Sequence, residues 1–65
     1  MIFEKVRGPY PLTYWRSSEG YRIERRSQPP KPYLYALVFD GEVIGQAPTL
    51  DGAVERAVAH YGGIR

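Results

Sequence analysis

Three arginines carry most of the chemistry that this chain offers. Arg22, Glu24 and Arg26 occupy alternate positions of the run Tyr21-Arg22-Ile23-Glu24-Arg25-Arg26, and Arg16 precedes them beside Tyr14 and Trp15, with Tyr10 nearby. Guanidinium groups interleaved with aromatic rings grip phosphates and stack on bases. A solvated sheet face decorated with cation–π pairs uses the same residues and is the plainer alternative. Glu24 stands in the middle of the row and works against a continuous phosphate track. It can pair with the arginines beside it or accept from a cytosine amino group.

Catalytic groupings are not visible. Ser17, Ser18 and Ser27 all sit in turn-like segments, with no nucleophile–base arrangement evident. His60 falls in the last turn of a helical stretch, where an imidazole suits the C-terminal end of the dipole. A general base also needs an orienting partner and a pocket. Asp51 and Glu55, four residues apart, read as a solvated helix edge. The chain has no cysteine and one histidine, which excludes a thiolate metal site, and His60 builds no zinc site without help from carboxylates. Its glycines are explained by turns, packing and a helix cap rather than by a phosphate loop. The expectation is a non-enzymatic binding module with no cofactor, no metal and no small-molecule substrate.

The elements that must hold these residues are legible. Met1–Val6 reads as a short strand or an extended arm, and Arg7-Gly8-Pro9-Tyr10-Pro11 breaks it. Leu12–Arg16 and Tyr21–Arg26 read as strands joined by Ser17-Ser18-Glu19-Gly20, where Gly20 can take positive φ. The second strand sets Tyr21 and Ile23 against Arg22, Glu24 and Arg26. Residues 27–32, with three prolines, read as an exposed connecting loop, since proline cannot donate to a sheet ladder. Asp40-Gly41 then makes a two-residue hairpin turn between Tyr33–Phe39 and Glu42–Ala47. That turn places Phe39 opposite Glu42, Val38 opposite Val43, Leu37 opposite Ile44 and Ala36 opposite Gly45. Leu50, Ala53, Val54, Ala57, Val58 and Tyr61 form one helical stripe. Thr49 is its N-cap and Gly62-Gly63 its left-handed C-cap.

These elements predict an α+β domain: an antiparallel sheet of three or four strands over residues 12–47, with one C-terminal helix over 49–61 packed across one face. Residues 1–65 form a single domain, with 1–11 as an arm or an edge strand. The hairpin is apolar on both faces, whereas an antiparallel sheet normally leaves one face to solvent. The helix should cover Tyr35, Leu37, Phe39 and Ile44, joined by Tyr21 and Ile23, because larger side chains bury more area. Leu34, Ala36, Val38 and Val43 then look outward and need a lid. The N-terminal segment folding back, a second copy of the chain, and a different macromolecule are the three candidates.

Length and charge bound the partners. A core of 65 residues contributes roughly 3–5 kcal/mol by itself, so oligomerisation or a partner is the remaining staple. The net charge is +2, but it is uneven. Residues 1–32 carry seven cations against three carboxylates, and residues 33–65 two cations against four carboxylates. A basic half suggests an anionic partner. No apolar run approaches the roughly 20 residues that span a bilayer, and the start of the chain lacks signal-peptide features. Lack of cysteine suits a reducing compartment, so a cytoplasmic location is expected.

The run Ile44-Gly45, Thr49, Ala53, Ala57, following the strand Tyr21-Arg22-Ile23-Glu24-Arg25, resembles the sheet-plus-helix DNA-binding domains of plant ethylene-response factors and phage-type integrase arm-binding domains. That resemblance implies a sheet lying in the major groove, with Arg22, Glu24 and Arg26 facing DNA and Trp15 or Arg16 beside them. The low charge and the proline-rich segment depart from the pattern. The order of elements is also similar to HicB-type antitoxins, which act by binding proteins. The leading expectation is therefore nucleic-acid binding through Trp15, Arg16, Arg22, Glu24 and Arg26. The alternative is a protein-interaction module, as a homodimer or docked on a partner, through Leu34, Ala36, Val38 and Val43.

Overall fold

Alternation of apolar and charged residues along the first three quarters of the chain produces strands, and the 3.6-residue apolar period after Thr49 produces a helix. The computed structural model describes residues 1–8, 13–28 and 31–63. Five strands, β1 (Phe3–Arg7), β2 (Thr13–Ser17), β3 (Tyr21–Gln28), β4 (Lys31–Phe39) and β5 (Glu42–Ala47), precede α1 (Leu50–Gly63). They form one antiparallel meander in the order β1-β2-β3-β4-β5. The α+β class holds, with one strand more than the three or four expected. The additional strand is the N-terminal segment: it pairs with β2 along its edge and does not fold over the outward face.

The turns follow their residue types. Gly20, at φ 95°, donates its backbone N–H to the Ser17 carbonyl at 3.2 Å. Asp40 and Gly41 both take positive φ, 54° and 80°, as a two-residue hairpin turn demands. The proline-rich segment is shorter than the exposed loop expected, because β3 and β4 continue until Gln28 pairs with Lys31. The register shifts between Arg26 and Gln28, which gives Pro32 a place in β4 beside a bulge. Tyr10, Leu12 and the Pro29-Pro30 link lie outside the described residues.

A second bulge corrects the hairpin register. Phe39 pairs with Glu42 and Val38 with Val43 as expected, but Leu37 then pairs with Gly45 and Tyr35 with Ala47. Ile44 is the extra residue, and at 38% exposure it stands outside the buried core. The shift has a packing reason. It turns Gly45 and Ala47, both small, toward α1, so the helix can lie close. A Cβ on Gly45 would stand 3.5 Å from Arg56 Cδ.

The helix packs against β3, β4 and β5. Trp15, Tyr21, Ile23, Leu37, Ala47, Ala53 and Ala57 are buried together, with Tyr35, Phe39, Leu50, Val54 and Tyr61 partly buried around them. The face carrying Tyr21, Ile23, Tyr35, Leu37 and Phe39 is thus the covered one. Val58 is the exception in the helical stripe, at 50% exposure, because it points past the edge of the contact. Thr49 caps the helix: its Oγ1 accepts the Gly52 N–H at 3.1 Å, and its carbonyl accepts the Ala53 N–H at 3.2 Å. Gly52 is there for space, since a Cβ would stand 3.1 Å from both Ala47 Cβ and Thr49 Oγ1. Replacing Thr49 with alanine should lower stability by about 1 kcal/mol, read from the urea midpoint. At the other end the expected left-handed cap is absent. The helix runs through Gly62 to Gly63, and neither has positive φ.

His60 does more than complement the helix dipole. Its Nδ1 shares a 2.6 Å hydrogen bond with the Tyr21 hydroxyl, and its ring packs at 5.2 Å on Phe39 and edge-on at 5.6 Å to Tyr21. A hydroxyl can donate or accept, so either imidazole tautomer completes the bond. Burial raises the Tyr21 pKa above its usual value, and the neighbouring Tyr61 and Glu19 add to the rise.

Candidate functional site

Register places the sequence candidates in rows across the outward face of the sheet. Glu4, Arg16, Arg22, Val38 and Val43 form one row from β1 to β5. Val6, Tyr14, Glu24, Ala36 and Gln46 form the next, and Arg26 stands beside Leu34. Arg16, Arg22, Glu24 and Arg26 are therefore brought together, as are Leu34, Ala36, Val38 and Val43 beside them. Trp15 is not. It is one residue out of phase with Arg16, so it points to the helix side, where it is 8% exposed and packs at 5.8 Å on Tyr35. Of the two residues expected beside Arg22, only Arg16 is there.

Every arginine of the outward face already holds a carboxylate. Glu24 bridges Arg22, at 3.0 Å, and Arg26, at 2.6 Å, and Glu4 lies 3.5 Å from Arg16. The Arg22 guanidinium also lies 4.1 Å from the Tyr14 ring centroid. Such exposed pairs add little stability, about 0–1 kcal/mol each, but they orient the guanidiniums and cancel most of their charge. The apolar half of the face is graded. Ala36 is fully buried even though it points outward, because Glu24 and Gln46 flank it across the strands. Leu34 and Val38 are half-buried, and Val43, at the edge strand, is 49% exposed.

The opposite side of β1, β2 and β3 holds residues that the sequence reading did not single out. Lys5 pairs with Trp15 and Arg25 with Tyr35, so both point to the helix side. Arg7 shares the phase of Lys5 two residues on. The Lys5 ammonium is 5.9 Å from the Trp15 ring, and the Arg25 guanidinium 4.8 Å from the Tyr33 ring. Among the described residues none of these three cations has a carboxylate within 4 Å. The signal was present in the sequence: Arg25 has the phase of Tyr21 and Ile23, and a cation in line with core residues requires an end to the helix's cover.

Two surface depressions, of about 380 Å³ beside Glu4, Arg16 and Ser17 and about 390 Å³ beside Thr49, Gly52 and Arg56, assemble no nucleophile with a base. Among the described residues no three of His, Cys, Asp and Glu cluster as metal ligands, and no helix is long and apolar enough to cross a membrane.

No family model matches this chain, and no curated protein and no solved structure matches it at a significant level.

Proposed function

We propose that the chain is a small interaction module whose outward sheet face docks on a second copy of itself. The observation that carries this reading is the pairing of Arg16, Arg22 and Arg26 with Glu4 and Glu24 beside a half-exposed apolar strip of Leu34, Val38 and Val43. A phosphate track needs uncommitted cations, and this face has a surplus of one. A protein interface instead favours an apolar centre with an arginine-rich polar rim. Leu34, Val38 and Val43, around the already buried Ala36, supply the first, and the Arg22–Glu24–Arg26 network on β3 supplies the second.

A second copy is the occupant that suits the chain's size. Among the described residues the core holds three fully buried large side chains, Tyr21, Ile23 and Leu37, with Trp15 nearly so and small alanines around them. Without cysteine, added burial must come from association. Under a two-fold axis the same strip meets itself, so one apolar patch provides both halves of the interface.

Sedimentation across a dilution series tests this. The native chain should shift from dimer to monomer, and Val43→Glu should be monomeric at every concentration while keeping its fold, because Val43 is half-exposed in the single chain. A native chain that stays monomeric when concentrated would refute the reading. So would chemical-shift changes at Arg16, Arg22 and Arg26 on adding duplex DNA at low salt, which would favour the major-groove role implied by the ethylene-response-factor resemblance.

A further inference from the structure

We infer that the helix side of the sheet, from β1 to the start of β4, binds single-stranded nucleic acid, with phosphates on Lys5, Arg7 and Arg25 and a base stacked on Tyr33. The fold sorts the basic surplus of the first half of the chain between the two faces of the sheet. The outward face keeps three arginines and two paired carboxylates. The helix side keeps Lys5, Arg7 and Arg25 with no described carboxylate within 4 Å. Among the described residues most of the unneutralised charge is on the face where the arginine row is not.

Edge strands often carry lysine or arginine to prevent pairing with another sheet, and Lys5 and Arg7 on β1 serve that end as well. Arg25 has no such duty. It lies on β3, the middle strand of the sheet, in phase with the buried Tyr21 and Ile23 and paired with Tyr35. Its guanidinium rests 4.8 Å from the ring of Tyr33, which is 47% exposed. An arginine plane beside an open aromatic ring is a stacking platform for an unpaired base. Bases in a duplex are already stacked on each other and have no face to offer it.

The surrounding geometry suits a chain of phosphates. Lys5 and Arg7 project from the same face of β1, about 7 Å apart along the strand, and β3 lies about 10 Å across the sheet. The helix packs on β3, β4 and β5 and makes a wall on one side, without contact to β1 or β2, where Lys5 and Arg7 are exposed. Trp15, sealed under Lys5, reports on this face, because it is the only tryptophan of the chain.

Fluorescence anisotropy of a short fluorescein-labelled oligothymidylate, with Trp15 emission as a label-free second readout, tests the proposal on the full chain. Three phosphate contacts predict a log–log salt slope of about −2, so affinity should fall about twentyfold between 50 and 200 mM salt. Lys5→Glu combined with Arg25→Glu should abolish binding, Tyr33→Ala should weaken it about tenfold, and Tyr33→Phe should restore it. Arg7→Glu alone, on the exposed edge, should weaken binding severalfold and keeps the test decisive if the double variant does not fold. Val43→Glu should bind as the native chain does, which separates this site from the proposed dimer face. The proposal is overturned if the oligonucleotide does not bind at 50 mM salt, if Tyr33→Ala leaves affinity unchanged, or if Arg22→Glu and Arg26→Glu abolish binding while Lys5, Arg7 and Arg25 substitutions do not.

Discussion

Truncating Leu37 to alanine is expected to leave the chain largely unfolded at room temperature. Leu37 is 1% exposed in the middle of β4, between Ile23 on one side and Gly45 on the other. It belongs to the buried cluster that includes Ala53 and Ala57 of the helix. Those neighbours are short, so they cannot collapse into the space that the side chain leaves. A buried leucine-to-alanine change costs about 2–5 kcal/mol, rising with the cavity that remains. A domain of this size has roughly 3–5 kcal/mol to lose. Far-UV circular dichroism and a urea titration at fixed protein concentration read the outcome. A midpoint close to that of the native chain would mean that the core lies elsewhere. Leu37→Met, which keeps volume, should cost less than about 1.5 kcal/mol and retain a cooperative transition.

Tyr21→Ala should be comparably damaging, at about 3–5 kcal/mol, because it removes a large buried aromatic from the junction of sheet and helix. Tyr21 stacks on Phe39 at 4.6 Å and meets His60 and Tyr61 edge-on. Two milder perturbations separate the ring from its hydroxyl. Tyr21→Phe keeps the stacking and loses the bond to His60, which should cost about 1 kcal/mol. Alkaline titration of the native chain gives the same information without mutation. The folded-state pKa of Tyr21 is raised, mainly by burial. The unfolded chain therefore releases this proton first as pH rises. Stability from this group is full below the ordinary tyrosine value and falls as pH climbs through the raised one. Tyr21→Phe should remove that part of the alkaline loss. An identical alkaline limb in both proteins would show that Tyr21 does not titrate with unfolding.

The separation of the two faces has a functional consequence. Glu24 was readable in the sequence as a residue that interrupts the arginine row. Its position midway between Arg22 and Arg26 turns that interruption into neutralisation. Arg25, passed over because it falls between the members of that row, is left free of carboxylates among the described residues. The dimer reading and the single-strand reading occupy opposite faces of one sheet and fail independently, since Val43→Glu acts on one and Tyr33→Ala on the other.

Much of the architecture was legible before any coordinates. Asp40-Gly41, Gly20 and Thr49 act through their own backbone and near neighbours, so their turn and cap geometry followed from residue type. The alternation at Tyr21–Arg26 assigned its faces correctly for the same reason: pleating is local. The choice of covered face also followed, because burial favours the larger side chains. Where the reading failed, the deciding partner was distant or the choice was between near-equal local options. The β5 bulge arises because α1 needs small residues beneath it, and nothing within the hairpin states that requirement. Gly62 and Gly63 suit a left-handed cap or a last helical turn, and their local chemistry does not choose. Trp15 was grouped with Arg16 by nearness in the chain, although adjacent residues in a strand point to opposite faces.

The sequence by itself determined the turns at Gly20 and Asp40-Gly41, the two hairpins they join and which stripe of the helix is apolar, because steric limits and hydrogen-bond supply act over a few residues. Only the tertiary structure decided that β1 extends the sheet instead of roofing it, that Tyr21 meets His60 across 39 residues, and that the carboxylate-paired arginines lie on one face while the described cations without a carboxylate lie on the other. Those outcomes depend on which distant strands share an edge and on how closely a helix can approach, quantities set by the packing of all the elements at once.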